Sequence, residues 1–355
     1  MYREKEKSGV RVYNKRNKQE DSVQEIRITE REAGQRLDKL LEKYLQKAPK
    51  GFLYKMLRKK NITLNKKKAS GKEKLREGDR VSLFFSEETL EKFSGEEPVV
   101  RAYQGEPPEI LYEDAHILLC NKPVGMLSQK AKDTDVSAVE YLTGYLLESG
   151  GLTREDLKTF HPAVCNRLDR NTSGILAAGK SMVGLQELSR FFKERTIKKY
   201  YLCLVAGQVK ETASVCGYLQ KDDRSNRVKV SDRAQPDGVK IETTYRPLAF
   251  GNGVTLLEVH LITGKTHQIR AHLASRGYPI VGDYKYGNRK INDRYKQRYG
   301  LQSQLLHAWK LCMPETEGAL GYLSGNLFTA PLPAVFQRIC AEEGLDFEGC
   351  LHKRE

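Results

Sequence analysis

Apolar residues recur along this chain at two different periods, and the places where the period changes mark its organisation. Ile26-Arg27-Ile28 alternates as a short strand does. Leu37, Leu40, Leu41, Tyr44 and Leu45 fall at helical spacing, and Pro49 closes that run. Phe52, Leu53, Met56 and Leu57 predict a second helix. Ile62-Thr63-Leu64-Asn65 predicts a strand and turn, and Gly78-Asp79 a turn into the strand Arg80-Val81-Ser82-Leu83-Phe84. These elements delimit a small module over residues 25–86. Residues 87–106 contain Glu87-Glu88, Ser94-Gly95-Glu96-Glu97-Pro98 and Gly105-Glu106-Pro107-Pro108, and read as a flexible linker. From 107 onward short apolar runs alternate with turns, as in Ile117-Leu118-Leu119, Gly174-Ile175-Leu176 and Leu202-Cys203-Leu204-Val205. Helical stretches intervene near 137–148 and 182–194, so residues 107–340 predict an α+β domain with a mixed sheet. The charged residues 221–240 predict an exposed hairpin. The ends, 1–24 and 341–355, are charged and lack apolar periodicity, which predicts a disordered tail at the start and a charged tail at the end.

Charge narrows the class of partner. The 355 residues carry 61 Lys+Arg against 46 Asp+Glu, a formal net charge of +15. Such an excess favours an anionic partner, most often nucleic acid. The excess is also clustered: Lys55, Arg58, Lys59, Lys60, Lys66, Lys67 and Lys68 fall within fourteen residues with no acid among them, which points to phosphate contact. Seven scattered cysteines without a Cys-x-x-Cys pair argue against a structural zinc site and fit reduced thiols in a cytosol. No apolar run approaches the ~18 residues that span a membrane, and the first residues lack a secretory signal's apolar stretch. The expectation is a soluble cytoplasmic protein.

The chemistry concentrates at Cys165-Asn166-Arg167-Leu168-Asp169-Arg170-Asn171-Thr172-Ser173-Gly174, where one carboxylate stands between two arginines just before an apolar run. Alone, this is an Asx-type turn with surface ion pairs. Other motifs fail on their spacing. Gly264-Lys265-Thr266 lacks the Gly at position 259 that a phosphate-binding loop requires, and His267 and His272 are off the spacing of a helical zinc pair. A packing or hydrogen-bonding role suits both histidines.

The string Arg167-Leu168-Asp169-Arg170-x-Thr172-Ser173-Gly174 resembles the catalytic loop of the RluA-type pseudouridine synthases. Three further blocks resemble that family in the same order. The first is Leu111-Tyr112-Glu113-Asp114 with Asn121-Lys122-Pro123-Val124-Gly125. The second is Ile197-Lys198-Lys199-Tyr200-Tyr201-Leu202-Cys203-Leu204-Val205-Ala206-Gly207. The third runs from Thr263-Gly264-Lys265-Thr266-His267-Gln268-Ile269-Arg270 to Gly282-Asp283 and Tyr286-Gly287. Asn166 stands where the family commonly has His, and Lys265 where it has Arg.

The resemblance implies an RNA-modifying isomerase with a largely antiparallel mixed sheet and no metal or organic cofactor. It implies Asp169 as nucleophile or base, Arg270 as its guanidinium partner, and Tyr201 stacked on the uracil, with Tyr200 a one-residue alternative. Arg167, Arg170 and Lys180 would hold flanking phosphates. The first module resembles an S4-like RNA-binding domain through Arg36-Leu37-Asp38-Lys39, its basic second helix and its Asn65 and Gly78-Asp79 turns, although Gly51 replaces that family's Ser and Lys60-Asn61 its Gly. Lys55, Arg58, Lys59, Lys60, Lys66 and Lys67 would then grip RNA, and the linker would let the two domains hold different parts of one RNA. Large-subunit ribosomal RNA is the implied substrate and transfer RNA the second, with no required protein partner. A non-catalytic RNA-binding assembly factor on the same fold is the competing reading.

Overall fold

The computed structural model describes residues 23–95, 103–132, 134–222 and 227–346. Residues 1–22 of the expected disordered tail lie outside the described residues, whereas Val23 and Gln24 already belong to a strand. That strand, β1 (Val23–Arg27), joins β2 (Ile62–Leu64), β3 (Lys67–Lys68) and β4 (Arg80–Phe84) in an antiparallel sheet of order β1-β4-β2-β3. Helices α1 (Leu37–Tyr44) and α2 (Lys50–Arg58) bury Leu37, Leu40, Leu41, Leu53 and Leu57 against Ile26, Ile62, Val81 and Leu83. Their apolar residues recur at three and four, so one stripe faces the sheet and the basic face of α2 stays outside. The β2–β3 turn needs Asn65 and Lys66 at φ +51° and +62°, the pair of positive angles that a two-residue hairpin demands.

The expected linker is corrected at its start. Residues Glu87–Phe93 form helix α3, capped by the Ser86 hydroxyl accepting from Thr89 N. Phe93 packs on Phe52 with tilted rings whose centroids lie 4.5 Å apart, so the Glu-rich segment hides an apolar side that packs on the module. The part of the linker at 96–102 lies outside the described residues.

The module also docks directly on the rest of the chain. Arg31 pairs with Asp156 and donates to the Gly151 carbonyl at 2.9 Å. The Arg31 carbonyl accepts from Met182 N at 2.8 Å, and the fully buried Glu32 accepts from the Thr159 hydroxyl at 2.8 Å. The picture of two domains joined only by a flexible tether is therefore replaced by a packed interface.

Among the described residues, the larger unit holds an 11-stranded sheet. Its strands are β5 (Glu109–Glu113), β6 (Ile117–Lys122), β7 (Ala163–Val164), β8 (Ser173–Gly179), β9 (Lys198–Ala206), β10 (Ala213–Asp222), β11 (Arg227–Ser231), β12 (Val239–Phe250), β13 (Val254–Leu261), β14 (Leu306–Cys312) and β15 (Leu327–Thr329). The order is β11-β10-β12-β13-β9-β14-β8-β6-β5, with β7 on β8 and β15 on β14. The β8–β14 contact is parallel and the other pairings among the described strands are antiparallel. Both faces are covered: Leu118, Cys120, Leu176 and Ala178 point into one cluster, and their neighbours Ile117, Leu119, Ile175 and Ala177 into another. Two-sided burial explains why these strands read as unbroken apolar runs rather than alternating ones.

Helices α4 (Ala138–Glu148) and α5 (Met182–Glu194) match the expected stretches, and α6 (Gln268–Ser275), α7 (Arg289–Tyr299) and α8 (Ala334–Glu342) complete the unit. The expected tail at 341–355 is corrected for its first six residues. Glu343 is buried and accepts from the Tyr299 hydroxyl at 2.7 Å, and Leu345 is buried against the α7–α8 cluster. Residues 347–355 lie outside the described residues. Of the hairpin expected over 221–240, the structure places β10 and β11 as an antiparallel pair over Ala213–Asp222 and Arg227–Ser231, with 223–226 outside the described residues, and Val239 already begins β12 on the other side of β10. Among the described residues, no helix is long and apolar enough to cross a membrane.

Candidate active site

Asp169 sits on the loop between β7 and β8, and backbone and side-chain bonds fix that loop from several directions. Ser128 Oγ donates to the Leu168 carbonyl and accepts from Leu168 N, at 2.9 and 3.0 Å. Asn166 bridges back to β8, donating to the Ile175 carbonyl at 3.1 Å and accepting from Ala177 N at 2.8 Å. Its amide needs both a donor and an acceptor there, and this gives the Asn166 departure a structural use. Beneath the loop lies Lys122, fully buried, donating to the carbonyls of Pro123, Met126 and Arg170 at 2.9, 2.9 and 3.1 Å. Burial pushes its pKa down to about 7, and the charge of Asp169 works in the opposite direction.

Arg270, on α6, connects two carboxylates. Its Nη1 donates to Asp169 Oδ2 at 2.8 Å. Its Nε and Nη2 donate to Asp283 Oδ2 and Oδ1 at 2.7 and 3.0 Å. The two-pronged pairing of Arg270 therefore goes to Asp283, and Asp169, the partner expected from the sequence, receives a single bond. Asp283 Oδ1 also accepts from Lys285 N at 2.8 Å and Tyr286 N at 3.1 Å. Burial by itself would lower the Arg270 pKa, but the bonds and charges of Asp283 and then Asp169 raise it above its ordinary value. Burial would raise Asp283, and Arg270 with the two backbone donors reverses this, holding the carboxyl below its usual range.

Tyr201 is buried on β9 and faces the same side as Asp169. The strand's alternation turns Tyr200 to the other face, where it stacks on His260 at 4.8 Å beneath Lys310. Of the two tyrosines the sequence leaves open, Tyr201 is the one at the cavity. Burial, then the charge of Asp169, raises its phenol pKa, so it stays a neutral hydrogen-bond donor near neutral pH.

These groups open into a cavity of about 950 Å³. Its wall includes Lys130, Arg167, Arg170, Lys193, Arg195, Lys199, Lys265 and Arg270, and Asp169 is the one carboxylate among the lining residues described. A concave site with one acid among so many cations suits a polyanion that brings a reactive centre to that acid. His267 also reaches it: Nε2 lies 3.8 Å from Asp169 Oδ2, and Nδ1 shares a 3.0 Å hydrogen bond with the Tyr286 hydroxyl. Burial lowers the His267 pKa against the pull of Asp169. Among the described residues no group of three or more His, Cys, Asp or Glu is placed to hold a metal ion.

Arg167 and Arg170 are exposed at the cavity wall. Lys180 is a correction: it is buried, donating to Glu113 and to the Asp114 carbonyl at 2.6 Å, and is not available to a phosphate. Lys55, Arg58, Lys59, Lys60, Lys66 and Lys67 are all exposed on the amino-terminal module, with no ion pair among the described residues. Sequence reasoning missed Asp283, Lys122 and Lys199 as site residues and read His267 only as a packing or hydrogen-bonding group.

Residues 116–275 match the family model of RNA pseudouridylate synthases. The chain is 35% identical over 289 residues to the ribosomal large subunit pseudouridine synthase C of Vibrio parahaemolyticus, covering 81% of this chain and 87% of that relative. The chain belongs to the RluA-type RNA pseudouridine synthases. A relative of the same name in Escherichia coli is 33% identical over 294 residues, again with 81% and 87% covered. The solved structure of human RNA pseudouridylate synthase domain containing 4 shares the fold, with a TM-score of 0.54 at 21% identity over 66% of this chain and 93% of that one. As a pseudouridine synthase this enzyme is an isomerase: the uracil leaves ribose through nitrogen 1, turns, and rejoins through carbon 5.

Proposed function

We propose that this synthase isomerises uridines of large-subunit ribosomal RNA in the cytoplasm, with Asp169 as the carboxylate that acts on the ribose. The observation that carries the reading is Asp169 itself: the lone acid among the described residues that line a cationic cavity, held by a 2.8 Å bond from an arginine that is anchored elsewhere. An Asp169 carboxylate oxygen supplies the lone pair that either attacks carbon 1′ or removes the 2′ proton. Both routes break the glycosidic bond next to it. Arg270 orients that carboxylate, and the Tyr201 ring forms a floor on which uracil stacks while it turns. The target uridine leaves its helical stack to reach the cavity, which costs a few kcal/mol. Arg167 and Arg170 at the wall offset part of this by holding the backbone. The names of the relatives support ribosomal RNA as the substrate.

The module spanning residues 25–86 is proposed as an S4-like RNA-binding domain, followed by the connecting segment 87–106 and the catalytic domain 107–340. Its exposed Lys55, Arg58, Lys59, Lys60, Lys66 and Lys67 support phosphate binding. Lys60 adopts φ +64°, the left-handed conformation for which glycine is best suited, at the place where S4-like domains carry glycine.

The test is tritium release from transcripts labelled at carbon 5 of uridine, using ribosomal and transfer RNA in parallel. The expected result is release from ribosomal RNA by wild type and none by Asp169→Asn. Release by the Asn variant would remove Asp169 from the chemistry, and release from transfer RNA alone would overturn the substrate.

A further inference from the structure

Lys199 stands two residues before Tyr201 on β9 and therefore faces the same cavity. It is 9% exposed, an unusual depth for a lysine. Its position is defined by Gly264: a Cβ built on that glycine would lie 3.6 Å from Lys199 Nζ, so the ammonium rests over bare backbone. No carboxylate among the described residues pairs with it. The charge that acts on it is that of Arg195, another cation of the same wall, which sits just past the end of α5 at φ +63°. Burial and that neighbour together push the Lys199 pKa down to about 8. An ammonium that is largely desolvated, unpaired and next to a second cation is unfavourable in the free protein. The arrangement becomes favourable once a ligand supplies the missing anion.

The established chemistry takes place at the Asp169 end of the cavity. At about 950 Å³ the space is at the upper end of what holds a whole small ligand, so it has room beyond one nucleoside. RNA brings phosphodiesters on both sides of a flipped nucleotide. We infer that Lys199 and Arg195 form a phosphodiester subsite that holds the RNA strand next to the target uridine. This rests on reading the cavity as the uridine site. The subsite anchors the strand after the base has left its stack, and it selects RNA whose backbone can bend past Gly264.

The test compares wild type, Lys199→Met and Lys199→Arg in the full chain. Methionine keeps the stem and removes the charge, whereas arginine keeps the charge. Binding of a large-subunit ribosomal RNA transcript is followed across salt concentrations by filter retention, and tritium release is measured at varied RNA. Lys199→Met is expected to bind about tenfold more weakly, with the log–log salt slope shallower by roughly 0.7, as when one phosphate of a single strand is no longer neutralised. Its KM rises about tenfold and its kcat falls no more than about threefold, while Lys199→Arg retains the wild-type slope. The melting temperature of Lys199→Met is at or above that of wild type, because an unpaired buried charge has gone. An unchanged salt slope overturns the subsite. So does a loss confined to kcat, which would place Lys199 at the base, or a loss of stability that Lys199→Arg fails to rescue. Absence of tritium release by wild type would overturn the substrate reading, and the binding arm still decides the role of Lys199.

Discussion

Replacing Asp283 with Asn tests whether Arg270 is positioned from behind. Asp283 is 1% exposed, does not line the cavity, and takes two of the three carboxylate bonds of Arg270. Its Oδ1 accepts three N–H donors, from Arg270, Lys285 and Tyr286. An asparagine carbonyl keeps that corner, so its amide faces Arg270 Nε at the position now 2.7 Å away, donor against donor. Breaking a buried ion pair from one side costs about 3–5 kcal/mol. Asp169 remains as a second counter-ion, which sets the loss near the lower bound, about 3 kcal/mol. At about 2 °C per kcal/mol for a chain of this size, melting falls by about 6 °C. Freed from its anchor, the guanidinium moves off the Asp169 direction, and a displacement of about 1 Å costs on the order of a hundredfold in rate. Single-turnover tritium release below the melting point measures this, with KM little changed because Asp283 touches no substrate. The double variant with Arg270→Lys should be far less than additive, since both changes remove one unit. A rate within threefold of wild type, or additive losses in the double variant, would refute the reasoning.

Gly174→Ala should give an unfolded or aggregated product in a solubility and melting assay: Gly174 has φ +111° and an added Cβ would lie 2.2 Å from the Ala308 carbonyl oxygen at the parallel β8–β14 seam. Stability should fall as pH drops from 6.5 towards 4. Burial lowers the pKa of the fully buried His307 to about 4, so the unfolded chain binds the extra proton in that window. His307 contributes on the order of 3 kcal/mol of this change in denaturant titrations, and His307→Asn should flatten that part of the profile. Neutralising Lys59, Lys60, Lys66 and Lys67 together should weaken RNA binding and make its salt dependence shallower by roughly 0.7–0.9 for each phosphate they hold, and an unchanged slope would remove that face from the interface.

The elements were legible where local pattern and tertiary need agree. Helix α5 shows its buried face in Met182, Leu188 and Phe191, and β8 its two-sided burial in Ile175 to Ala178. The place of Asp169 at the cavity was legible because a polar loop before an apolar strand stands out in the string. Asp283 was not, since its meaning depends on an arginine thirteen residues earlier that faces it only after α6 has folded. Lys180 misled for the same reason: a cation at the end of a strand looks solvated, and its partner Glu113 lies 67 residues away. Helix α3 misled through composition, because its glutamates outnumber Leu90 and Phe93, the two residues that hold it down.

The docking of residues 29–35 has a consequence for what the enzyme can select. Glu32 is fully buried and Arg31 is bonded to two separate segments of the larger unit, at Gly151 with Asp156 and at Met182, so the basic module and the cavity are held apart by protein rather than by a length of chain. In the proposed RNA reading, two grips at a fixed span would work like callipers. A long, loose RNA can touch either jaw, but only a folded RNA whose backbone meets both at that span gains from having two. In the RNA reading proposed here, target choice then comes from measuring an outline, and sequence around the uridine need matter only as far as it sets that outline.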